Sequence, residues 1–152
     1  MNNEFEISFN GIAGIRPFVS IYTDVLNLLG NDYEIERLEP HVTKRRTLAA
    51  KILLHYPDLK IVVVFIDPGC ELPEDALLTV VGAEEGCVLQ TVDGLRVGMN
   101  MADAEVIIEH GYQVRDRYSE WLEIEAIDGK SPPILGIQHK DGRVEFIGLY
   151  CR

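Results

Sequence analysis

The chain has 152 residues, 47% of them hydrophobic and 26% charged, which suits one ordinary domain or two small units sharing a core and leaves no long disordered segment. A formal charge of -11 and a pI near 4.7 argue against nucleic acid and anionic membrane surfaces as partners, because both require a basic face. No apolar run approaches the ~20 residues needed to cross a bilayer. Met1-Asn2-Asn3-Glu4-Phe5-Glu6 also lacks the basic region and apolar core of a signal peptide, so a cytoplasmic protein is expected.

In chain order, residues 4 to 9 alternate polar with apolar and place Phe5, Ile7 and Phe9 on one face of a strand, broken by Asn10-Gly11. Ser20 is a candidate helix N-cap. Ile21, Val25, Leu28 and Leu29 then form one apolar stripe that stops at Gly30. A strand is predicted from Tyr33 to Leu38, and the basic run Lys44-Arg45-Arg46 reads as a solvated loop. Leu48 to Tyr56 and Leu59 to Asp67 should pair as a hairpin through Pro57-Asp58. The run Ile61 to Ile66 is β-branched and apolar on both faces, so this strand should be covered on both sides.

Leu77 to Val81 and Cys87 to Val92 flank Gly82-Ala83-Glu84-Glu85-Gly86 in the manner of a second hairpin. A better-capped helix follows. Asn100 is its N-cap, Asp103 and Glu105 lie near the positive end of its dipole, Met101, Ala104, Ile107 and Ile108 make its apolar stripe, and Gly111 closes it. Strands are predicted at 112 to 117, 119 to 127, 134 to 139 and 143 to 150, with turns at Asp128-Gly129 and Asp141-Gly142.

Two stretches echo one another about 80 residues apart, and a fixed-period echo reports architecture. Gly14-Ile15-Arg16 leads through Val25 and Leu26 to Gly30; Gly94-Leu95-Arg96-Val97-Gly98-Met99-Asn100 leads through Val106 to Gly111. The hairpins at Pro57-Asp58 and Asp141-Gly142 extend the echo at a similar spacing. The expected fold is therefore α+β, in two tandem units of residues 1 to 75 and 76 to 152, each a short helix packed on an antiparallel sheet. This unit resembles the β-lactamase-inhibitor-protein-like repeat and is similar to small outer-membrane assembly lipoproteins, although no lipobox cysteine stands near the start and Pro17-Phe18-Val19 replaces Val97-Gly98-Met99 in the first copy. The resemblance implies helices on one sheet face and a concave face open to a protein partner, in the manner of intracellular immunity or inhibitor proteins.

Chemistry is sparse. Cys70, Cys87 and Cys151 have neither disulfide nor metal-ligand spacing, so three reduced thiols and no bound metal or cofactor are expected. No phosphate loop is present, since Gly94-x-x-x-Gly98 lacks the lysine and the pattern. No catalytic residue stands out; a small hydrolase or transferase using Cys70 or a histidine, in a pocket between the units, is the enzymatic alternative. Glu84-Glu85 reads as part of a solvated turn. In residues 119 to 126 the apolar face is Leu122, Ile124 and Ala126, which turns the only tryptophan, Trp121, to the other face with Ser119, Glu123 and Glu125. That set is the candidate partner-binding site, with the two acids facing water and suited to a basic protein. Self-association as a homodimer is a further expectation, and solubility is the ordinary use of so large an acidic excess.

Overall fold

The computed structural model describes residues 6–42, 47–127 and 133–151, with backbone alone at Thr47 and Leu48. The elements are β1 (Ile7–Ser8), β2 (Gly11–Ile12), α1 (Tyr22–Leu29), β3 (Glu34–Leu38), β4 (His41–Val42), β5 (Thr47–Leu48), β6 (Lys51–Tyr56), β7 (Ile61–Ile66), β8 (Leu78–Ala83), α2 (Met101–Gly111), β9 (Tyr112–Arg117), β10 (Trp121–Ala126), β11 (Ile134–Lys140) and β12 (Arg143–Tyr150). Eight strands make one antiparallel sheet in the order β3-β6-β7-β8-β12-β11-β10-β9, flanked by the two-stranded pairs β1-β2 and β4-β5. Each half of that sheet is a meander running inward from an edge, and the halves meet where β8 pairs with β12, Gly82 opposite Gly148.

This corrects the expected α+β pair of helix-on-sheet units. The described residues are mostly β, with 47% strand and 14% helix, and eight of the strands form one continuous sheet. A single core cluster draws on α1, α2 and strands from both halves. The hairpins do not correspond either: Pro57-Asp58 joins the second and third strands of its meander, whereas Asp141-Gly142 joins the third and fourth. Nor is there a hairpin across Gly82–Gly86, because β8 is taken up by β7 on one side and β12 on the other. A strand inside a sheet finds its neighbours through long-range register, which local turn chemistry does not encode.

Locally the pattern holds. Both glycine-apolar-arginine stretches lead into helices. Asn100 Oδ1 accepts the Ala102 N–H at 2.8 Å as the N-cap of α2, while Gly111 is the last helical residue and Tyr112 the extended cap. At α1 the cap is Ile21, not Ser20; Asp24 accepts the Ile21 N–H at 2.9 Å, and the Ser20 hydroxyl accepts that of Arg16. Gly30, at φ 85°, ends α1, and the Tyr56 hydroxyl donates to its carbonyl at 2.8 Å. The N-terminal strand shrinks to the two-residue β1 with Ile7 buried; Phe5, Lys44-Arg45-Arg46 and the Asp128-Gly129 turn lie outside the described residues.

One face of the sheet carries the core: Ile52, Leu54 and Tyr56 of β6 register with Phe65, Val63 and Ile61 of β7, and these with Leu78, Val81 and Ala83 of β8. Ile147 and Leu149 of β12, Ile137 and Leu135 of β11, and Leu122 and Ile124 of β10 continue the same face. α2 packs on this layer beside β9 and β12. β7 is buried on both faces, as its β-branched run requires, with Val62 and Val64 on the side away from the core cluster.

Candidate functional site

The second face of the sheet is built differently. Gly82 of β8, Gly148 of β12 and Gly136 of β11 register side by side, making a row without side chains across three strands. Aromatic rings lie over it. A Cβ at Gly82 would overlap the Phe146 ring, one at Gly148 would come within 2.7 Å of Phe146 Cε1, and one at Gly136 would overlap Trp121 and reach 2.8 Å from Tyr150 Cε1. Glycine inside a strand here lets aromatic rings come close to the backbone. Trp121 and Tyr150 stack with centroids 6.2 Å apart and planes 24° from parallel, near the offset geometry aromatic pairs favour.

Around these rings is an open groove of 760 Å³. Its rim includes Phe18, 50% exposed at φ 60° in the loop before α1, and Tyr118, 53% exposed between β9 and β10. The positive φ of Phe18, strained for a bulky residue, is held by its N–H donating to the Leu78 carbonyl at 2.9 Å. Among the described residues, Lys51 and Glu123 are the charged ones lining the groove. Cys151 lines it as well.

The sequence-derived set is brought together only in part. Trp121 projects from the face opposite Leu122 and Ile124, as the alternation requires, and is half-buried rather than free. Glu123 shares that face but is 3% exposed and accepts a hydrogen bond from the Tyr150 hydroxyl. It is therefore a buried group and not a water-facing acid: opposite it stands Gly136, with Trp121 and Tyr150 drawn in over that glycine. Glu125 is half-buried and pairs with Arg115 at 3.4 Å. Ser119 is exposed in the β9–β10 connection, one turn of chain before the strand begins. Phe146, Tyr150, Phe18 and Tyr118 were missed. Phe146, Gly148 and Tyr150 alternate with Ile147 and Leu149, and that pattern carried the signal.

No family model, curated protein or solved structure matches this chain. The site is therefore judged on its geometry. For the enzymatic alternative, Cys70 is exposed in the loop after β7, Cys87 is buried, and burial pushes the Cys87 thiol above its usual range. All three cysteines are free thiols. Two histidines have other partners: His110 Nδ1 lies 2.8 Å from the Val106 carbonyl, and both ring nitrogens of His55 meet carboxylates. Among the described residues no group of three or more His, Cys, Asp or Glu side chains forms a metal site, and no helix is long and apolar enough to cross a membrane. A second cleft of 290 Å³, between α1 and the β6–β7 turn, is lined by Leu28, Leu29, Leu59, Ile61 and Leu89, with Asp58 its only charged group among the described residues.

Proposed function

We propose that this protein is a non-enzymatic binding module that holds a protein partner on the aromatic face of its sheet. The observation that carries the reading is the groove itself: Trp121, Tyr150 and Phe146 fill the space over the glycine row, are only half-buried there, and share the groove with exposed Phe18 and Tyr118. Interface anchors have this composition, because a half-buried aromatic ring offers a large contact area at little cost in side-chain entropy. A single-function core would instead bury these rings fully, as the opposite face does with Phe65 and Tyr56.

The charge of -11 supports a basic partner, drawn in by the long-range field and not by Glu123, which is buried. An inhibitor- or immunity-type role fits a module that works by occupying a partner's surface, and the likeness of the Gly94–Asn100 start to the inhibitor-protein repeat points the same way.

The test places a photo-reactive amino acid at Tyr118, on the groove rim, and in a second sample at Val106, exposed on α2. One protein should be crosslinked repeatedly from position 118 and not from 106, and its binding to purified chain should weaken with salt. Equal crosslinking from both positions, or binding unaffected by filling the groove, would remove the proposal.

A further inference from the structure

On the same sheet face, away from the aromatic groove, His55 of β6 stands between two carboxylates from different elements. Its Nε2 lies 2.8 Å from Glu36 Oε1 on β3, and its Nδ1 lies 3.1 Å from Glu84 Oε1, just beyond β8. A carboxylate only accepts, and a neutral imidazole has one N–H, so both contacts can be hydrogen bonds only when the ring carries two protons. If one proton leaves, a nitrogen lone pair faces a carboxylate oxygen at hydrogen-bond distance, and one carboxylate must move away.

Glu36 is the one placed to move. Its side chain is 51% exposed against 36% for Glu84, and it sits on β3, an edge strand every residue of which is exposed and which, among the described residues, pairs with β6 alone. Glu84 is tethered through its own N–H, which donates to the Lys60 carbonyl at 2.8 Å. We infer that His55 is a proton-operated latch that fastens the edge strand β3 to the sheet through Glu36 and loosens it when the ring becomes neutral.

The surroundings agree with that role. Glu34 of β3 registers opposite His55, Glu84 and Glu85 approach from the connection after β8, and Lys60 of the β6–β7 turn is the cation in the same cleft. Burial acts to lower the pKa of His55, but the hydrogen bonds and charges of Glu36 and Glu84 outweigh it, so the pKa lies above the ordinary 6.5. A raised folded-state pKa contributes stability that is complete below about 6.5 and is lost as pH rises through the folded value, so the latch releases on the neutral to alkaline side. Among the described residues β3 makes one further ion pair, Arg37 to Asp67 at 3.2 Å, which involves no imidazole and stays in place beside the backbone ladder to β6. Loosened β3 uncovers the backbone edge of β6, a place where another strand can add.

The experiment follows amide hydrogen exchange of the full chain at roughly pH 6 and roughly pH 8, corrected for the intrinsic exchange rate, while the His55 ring is titrated by NMR. Protection of β3 amides should fall about two- to fivefold across this range, the scale of one partly exposed ion pair, with a midpoint that follows His55. The opposite edge strand, β9, is the internal control and should not change. Glu36→Gln, at a half-exposed position that leaves the fold intact, should remove the pH-dependent part of the β3 response. The latch is refuted if β3 and β9 change together, if Glu36→Gln keeps the full dependence, or if His55 titrates at or below its ordinary value.

Discussion

The two faces of one sheet are made from alternate residues of the same strands, yet they are finished in opposite ways. On the helix-covered face Leu54, Val63, Val81, Leu149, Leu135 and Ile124 interlock, all fully buried. On the other, the strand centres are glycine and the rings of Phe146, Tyr150 and Trp121 lie across them, half-buried. Aliphatic side chains that interdigitate can satisfy one another, so the first face needs nothing further. The half-buried rings over glycine keep exposed surface, and on that surface the proposed binding rests. Burial alone does not separate the two, since Val62, Val64 and Ile134 are buried on the second face as well.

The comparison breaks most visibly at the core. Phe65→Ala should cost roughly 3–5 kcal/mol in denaturant unfolding, since Phe65 is fully buried and touches the Tyr22 ring edge-on at 5.8 Å. A loss below about 1 kcal/mol would mean that the helix-covered face is not the principal core.

Gly136→Val sharpens the other side. The new side chain would occupy the place of the Trp121 ring, so the ring should lift into water, with a red-shifted tryptophan emission and a loss of roughly 1–3 kcal/mol, as overpacking brings. Because Trp121 is the only tryptophan, the emission reports that one contact. Unchanged emission would contradict the seating of the ring on glycine.

The smallest effect concerns the edge. Glu36→Gln should reduce stability near pH 6 by roughly 0.2–1 kcal/mol and make no difference well above the His55 titration, because the pair is partly exposed and His55 is then neutral. Thermal melts across that range decide it; an equal loss at every pH would locate the effect elsewhere.

Much of the fold was legible where the determinants are local. The limits of β9 and β12, the Asn100 cap and the two-sided burial of β7 follow from alternation, capping and β-branching. The joining of both halves into one sheet was not, because Gly82 meets Gly148 across 66 positions of sequence and nothing near either glycine specifies the other. The same glycines explain the partial reading of the site. Alternation puts Trp121 and Glu123 on one face, but the neighbouring strands decide the rest: Gly136 opposite Glu123 leaves room for the Trp121 ring, and Tyr150 of β12 supplies the buried carboxylate with a donor. Ser119 was placed on that face by extending the alternation two residues past the point where the strand starts.

The central claim is that Trp121 anchors a partner and is not part of a second core. It is tested most directly by measuring both affinity and melting temperature of Trp121→Ala with the partner identified from the groove. The account expects binding weakened by roughly 2 kcal/mol or more, about thirtyfold in Kd, with the melting temperature close to that of the unmodified chain. Unchanged affinity, or a protein that melts as far below the parent chain as Phe65→Ala does, would contradict it.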